Sequence, residues 1–176
     1  MEMQPNSGWT EEDSQHFVNL GAAFVPERDL QIHTLCELLS LSGKPAVVVE
    51  LCCGEGLLSE VILNRYPATV VHGLDGSEEM LSHARSRLEG FGSRFQARLF
   101  DLRSEGWRHE IGSADAIVSS LALHHLEGSE KAELFRAMYH LLAPGGVFLI
   151  ADIVQPATKE GTTYAAQQWD RVVQEQ

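Results

Sequence analysis

The residue types that can do chemistry begin with Val47-Val48-Val49-Glu50-Leu51-Cys52-Cys53-Gly54-Glu55-Gly56, an apolar run that delivers an acid and a glycine turn. Glycine in such a turn lets a ligand come within van der Waals distance of the backbone, where a Cβ would block it. The helix expected beyond it offers unpaired N–H groups. A purely structural turn also uses glycine, so Gly54 and Gly56 alone do not decide. Asp75 follows nineteen residues after Gly56, at the end of the next apolar run. A carboxylate there accepts hydrogen bonds from both ribose hydroxyls of an adenosine. The other reading of Asp75, a cap for the next helix, is weakened because Ser77 can serve as that cap.

Two adenosine cofactors fit these residues, and Gly54-x-Gly56-x-x-Ser59 approximates a nicotinamide dinucleotide fingerprint with serine for the third glycine. Three features discriminate. Glu50 stands where it would repel a pyrophosphate but suit an ammonium group or a water network. Asp101 ends the third apolar run, placed to reach the exocyclic amine of an adenine. The apolar stretch Ser119-Ser120-Leu121-Ala122-Leu123-His124-His125 follows the fourth, where ligands lie outside the carboxyl ends of strands.

The elements that must position these residues form an α/β pattern, in which short β-branched runs alternate with stretches of helical period. Strands are predicted at Ala46 to Leu51, Val70 to Leu74, Phe95 to Phe100, Ala116 to Ser119 and Val147 to Val154. Helices are predicted at Leu57 to Tyr66, Glu78 to Glu89 and Glu130 to Leu142, with Pro144-Gly145-Gly146 turning into the last strand. This is a doubly wound, mostly parallel sheet with helices on both faces. Residues 1–45 read as N-terminal helices, Glu11 to Ala23 and Glu27 to Leu41, that can form a lid carrying Phe17, Leu20 and Phe24. Residues 46–154 read as the binding core and 155–176 as a helical segment.

The 176 residues suit one domain, and a formal net charge of −12 disfavours nucleic acid as a partner. Arg85, Arg87, Arg94 and Arg98 fall on different faces and make no basic patch. Three cysteines, two of them adjacent, suggest no disulfide framework, and no apolar run approaches the ~20 residues that span a bilayer. The N-terminus has no basic start and apolar stretch, so a cytoplasmic protein without membrane or export signals is expected.

These motifs together resemble the seven-stranded, Rossmann-like family of S-adenosylmethionine-dependent methyltransferases, among its small-molecule members. The family's acid-x-Gly-x-Gly-x-Gly reads here from Glu50 to Gly56, with Cys52 in place of the first glycine. That departure is mild, since a small side chain fits, and it narrows the pocket near the methionine moiety. Gly73 to Leu81 resembles the second motif, which implies Asp75 on the ribose, with Gly76 beside it and Met80 near the adenine. Phe100-Asp101-Leu102 resembles the third and implies Asp101 and the Leu102 backbone at the base. Ala114 to Ser120 resembles the fourth, whose Ser119 and Ser120 border the methionine end, and Leu141 to Gly146 resembles the turn before the fifth strand.

The resemblance implies methyl transfer from S-adenosylmethionine to a small organic acceptor, an in-line displacement that needs alignment more than covalent catalysis. His124 and His125 are the candidate bases, beside the alternative that they only shape the pocket. No metal is expected, Cys52-Cys53 reads as a pair of small turn residues, and Arg28 is a candidate for the cofactor's carboxylate. Two alternatives stay open: a non-catalytic binding or scaffold domain of the same fold, and a NAD-dependent oxidoreductase, which Glu50 and Asp101 disfavour. The family's C-terminal β-hairpin is missing from the pattern, which implies either a truncated chain or a shortened family member and predicts self-association through the apolar fifth-strand edge or its neighbouring helix.

Overall fold

The computed structural model describes Thr10, Glu12, Ser14, Val25 and residues 27–175 except 105. Phe17, Leu20, Phe24 and most of the helix predicted over Glu11 to Ala23 lie outside the described residues.

Five runs, all but the mixed third carrying valine or isoleucine, form the strands Val47–Leu51 (β1), Val70–Asp75 (β2), Phe95–Leu99 (β3), Ala114–Ser120 (β4) and Leu142–Ala151 (β5). They make one sheet in the order β3-β2-β1-β4-β5, and every pairing is parallel. Parallel neighbours need crossovers, and these are Leu57–Arg65 (α2), Glu78–Arg87 (α3), Arg108–Ile111 (α4) and Gly128–Leu141 (α5). Arg28–Leu39 (α1) precedes the sheet and Lys159–Glu175 (α6) follows it. The chain moves from β1 outward to β2 and β3, then crosses to the other side of β1 for β4 and β5. That reversal opens a crevice at the carboxyl ends of the strands.

Alternation along the strands sends side chains into two apolar layers. Val48, Val71 and Ala116 meet Leu35 and Leu39 of α1 and Ile62 and Leu63 of α2. Val49, Leu74 and Ile117 meet Leu134 and Met138 of α5 on the other face. With both faces covered, β1 has no polar side except Glu50, and each fully buried Leu or Ile contributes about 1.5–3 kcal/mol.

Helix ends follow local chemistry. Ser77 Oγ accepts the Met80 N–H at 3.1 Å, and α3 carries Glu78 and Glu79 in its first turn and Arg85 and Arg87 in its last, complementing its dipole. Tyr66, pushed out of the helical region by Pro67, ends α2. The helix predicted from Glu130 starts two residues earlier, because Glu130 reaches back to the Glu127 N–H at 2.7 Å.

The fifth strand differs most from its prediction. It runs from Leu142 rather than Val147, because Leu142 pairs with Ala114 and Val147 with Ala116, so Pro144-Gly145-Gly146 forms a bulge within the strand instead of a turn before it. It stops at Ala151, three residues short of Val154.

Gly56 shows how tightly α3 closes on the turn. Its φ is +80°, and an added Cβ would lie 2.8 Å from Leu88 Cδ1 and 3.3 Å from Ala84 Cβ. Gly56→Ala is expected to lower stability by about 2–4 kcal/mol through left-handed strain and overpacking, read by urea unfolding. A loss below about 0.5 kcal/mol would mean the helix is not seated against this turn.

Candidate active site

β1 ends in a turn that is bolted to β2. The Cys53 N–H donates to Leu74 O at 2.9 Å, and the Gly54 N–H donates to Asp75 Oδ2 at 2.8 Å. Asp75 Oδ1 accepts the Ser77 N–H at 3.0 Å. Asp75 therefore performs part of the capping task as well, holding both the turn after β1 and the start of α3. Gly54 has φ +53° with no atom within 4 Å of an added Cβ, so the space above it is the cavity itself. Cys52, standing where the resembled motif has its first glycine, also takes a left-handed conformation, φ 56°. The replacement is less mild than its size suggests, because a residue with a Cβ pays roughly 1–2 kcal/mol there.

Glu50 lies one residue before the end of β1 and is 3% exposed, and it accepts a hydrogen bond from the Ser59 hydroxyl of α2. Burial pushes its carboxyl up to about 7; the Ser59 bond opposes this and the nearby Asp75 charge adds to it. Burial likewise lowers the Arg28 pKa, while the charges of Glu55 and Glu50 hold it up. The thiols of Cys52 and Cys53 are raised well above their ordinary value by burial and by Asp75 and Glu50, so neither is a thiolate nucleophile at neutral pH.

β3 leads into Phe100 and then Asp101, whose Oδ1 accepts the Arg103 N–H at 2.9 Å. β4 leads into Leu121, at φ 57°, whose N–H donates to Ala151 O at 2.8 Å, and then into a single 3-10 turn at Leu123–His125. The rings of His124 and His125 lie 4.1 Å apart between centroids and are tilted by 41°. Asp152, just past β5, accepts the His124 N–H at 2.9 Å and lies 2.7 Å from its Nδ1.

One cavity of about 560 Å³ joins these strand ends, a size within the ~300–1,000 Å³ of small-ligand clefts. Glu50, Cys52, Gly54, Asp75, Gly76, Met80, Asp101 and Leu102 line it, together with Ser120, His124 and His125. Two residues read from sequence as cofactor contacts stand off its wall. Gly56 is used for packing against α3, and Ser119 is fully buried with its hydroxyl donating to Leu51 O at 3.2 Å. The wall also holds Arg28, Arg103, Ile153 and Trp169. Of these, only Arg28 was singled out for this site by sequence; Trp169 was legible as part of a helix but not as a wall. Among the described residues no group of three or more His, Cys, Asp or Glu is placed to hold a metal. No helix among them is long and apolar enough to cross a membrane.

A doubly wound parallel sheet with acids at three successive strand ends around one crevice defines a Rossmann-like nucleoside-binding protein. Residues 48–146, more than half of the chain, match the family model described as "Methyltransferase domain". The chain belongs to that family, the Rossmann-like S-adenosylmethionine-dependent methyltransferases. It is 36% identical over 130 residues to a trans-aconitate 2-methyltransferase of Variovorax paradoxus, a match that covers 73% of this chain and 46% of the relative. Among solved structures, an O-methyltransferase family protein from Burkholderia thailandensis superposes with a TM-score of 0.69 at 20% identity, covering 93% of this chain and 47% of that one. The plantazolicin methyltransferase BpumL in complex with SAH gives 0.63 at 22% identity, covering 90% of this chain and 62% of that one. These likenesses share the fold, and the chain spans about half the length of the curated relatives it matches.

The buried Glu50 carries a consequence for stability. Its folded pKa lies above its ordinary 4.5, so the folded state holds the proton more tightly than the unfolded chain. That contribution is complete below pH 4.5 and is lost as pH rises through about 7. Glu50→Gln, measured against wild type by urea unfolding without ligand, should gain on wild type by on the order of 3 kcal/mol between pH 4.5 and 8. A stability difference that stays flat over that interval would show that the carboxyl is not desolvated.

Proposed function

We propose that the chain binds S-adenosylmethionine across the carboxyl ends of β1 to β4 and transfers its methyl group to a small organic acceptor in the same cavity. The observation that carries this reading is that Glu50, Gly54, Asp75 and Asp101 line one cavity, which His124 and His125 also line. Asp75 takes the ribose hydroxyls, Asp101 and the Leu102 backbone take the base, and Met80 packs near the adenine. Cys52, Gly54 and Gly76 let the ligand lie close to the main chain. Ser120 borders the methionine end, Glu50 faces its ammonium group directly or through water, and Arg28 reaches its carboxylate.

Bound there, the cofactor supplies an electrophilic methyl group on a sulfonium sulfur. The chain's own work is to align the acceptor with it, exclude water and take up a proton where the acceptor releases one. The small cavity and the named activity of the trans-aconitate relatives favour a small acceptor over a macromolecule. In this reading residues 1–45 are N-terminal helices, of which α1 packs on the sheet as core, 46–154 are the cofactor core and 155–176 a helical segment, in a cytoplasmic protein. The edge of β5 mediates self-association. Light scattering that finds a strict monomer at high concentration would remove that last element.

Calorimetry with S-adenosylmethionine and its demethylated product tests the binding. Saturable binding of both is expected, no binding of NAD, and a roughly 10–100-fold weakening in Asp75→Ala from lost charge-assisted hydrogen bonds. Failure to bind either sulfur compound would defeat the proposal. Binding without methyl transfer across a metabolite screen would instead favour the non-catalytic form of the same domain.

A further inference from the structure

The end of the cavity beyond β4 holds an ordered pair of side chains that sequence motifs did not indicate. β4 and β5 run parallel with Ser120 opposite Ala151, so the residues that follow each strand emerge at the same rim. His124 arrives from one and Asp152 from the other. Asp152 holds His124 at two points, its backbone N–H through Oδ2 at 2.9 Å and its Nδ1 through Oδ1 at 2.7 Å. The Ile153 N–H donates to Oδ1 at 2.8 Å and keeps the carboxylate from turning. The Asp152 side chain is 12% exposed and the His124 ring 27%, so the pair is sheltered while the ring still lines the cavity.

An ionised aspartate can only accept, so the proton between the pair sits on Nδ1. The neutral ring is then the Nδ1–H tautomer, and Nε2 keeps its lone pair.

We infer that Asp152 is a positioning residue that presents the basic Nε2 of His124 to the methyl acceptor, and that this acceptor is a hydroxyl or amine that must lose a proton. The inference rests on the methyltransferase reading above. A carboxylate acceptor is already ionised at neutral pH and gains nothing from a base, whereas an O–H or N–H acceptor does. In the balanced step, Nε2 takes the acceptor's proton while the acceptor's electron pair forms the new bond to the methyl carbon. The electrons of the breaking C–S bond stay on sulfur, and the imidazolium later returns its proton to water.

The test is nitrogen-15 NMR of the imidazoles in the ligand-free protein at pH 8, with His124→Gln to assign the signal. The expected result is the Nδ1–H tautomer for His124, lost in Asp152→Asn, whose amide can present an N–H to Nδ1. An Nε2–H tautomer in wild type overturns the positioning role, and this does not depend on Asp152→Asn folding. With S-adenosylmethionine and a probe panel of phenols, primary amines and carboxylic acids, methyl transfer should favour the first two classes. Asp152→Asn should then lower turnover by ~10²–10⁴-fold with little change in KM. Methylation of the carboxylic acids alone, or of none of the panel, overturns the acceptor class. Absence of cofactor binding in calorimetry would fail the methyltransferase reading separately, since the tautomer is measured without it.

Discussion

Two hydrogen bonds from the turn after β1, Cys53 N–H to Leu74 O and Gly54 N–H to the Asp75 carboxylate, set where the other groups of the cavity stand. They fuse the carboxyl ends of β1 and β2 into one surface, with Glu50 below it and Asp75 at its rim. The turn that makes them needs left-handed backbone, which Gly54 supplies freely and Cys52 supplies at a cost. On the other side of β1, Leu121 takes a similar conformation at the exit of β4 and is held by its bond to Ala151 O. Both strained residues face the cavity. Strain of this kind persists where the surrounding sheet over-determines the backbone, and it gathers where a binding surface must be shaped.

Much of the architecture was legible because it depends on short-range signals. The apolar and β-branched runs delimited four strands to within two residues, and Ser77 marked the start of α3 as drawn. The acids at the ends of β1, β2 and β3 were legible for the same reason, since a parallel strand delivers its last residues to one rim. The fifth strand was not. Ile153 and Val154 are apolar and β-branched, so periodicity carried the strand through them, although both are exposed and the ladder ends at Ala151. That error concealed Asp152, because a residue inside a strand is not at a strand end. Its pairing with His124 spans 28 residues and appears only once the β4–β5 register is known.

The converse case concerns Gly56 and Ser119, which stand off the cavity wall. Both occupy motif positions, so their types suggested contact with a ligand. Gly56 is required by the closeness of Ala84 and Leu88, and Ser119 satisfies the Leu51 carbonyl inside the sheet. Sequence shows that a small residue is needed; it does not show which neighbour needs it, since helix, strand and ligand impose the same steric demand.

The electrostatics of the cavity then choose among ligands that share a ribose. Glu50, Asp75 and Asp101 line it in a chain of net charge −12, and Arg28 is drawn partly toward Glu55 and Glu50. A pyrophosphate placed over this turn would meet a buried carboxyl whose charge is already disfavoured by burial and by Asp75. A ligand bearing positive charge does the opposite, because it favours the ionised form of Glu50 and lowers the desolvation penalty of keeping that acid inside the sheet. In the proposed reading, the same residue that destabilises the empty fold above its pKa favours a cation over a dinucleotide, and a neutral side chain at position 50 would forfeit that preference while removing the desolvation penalty.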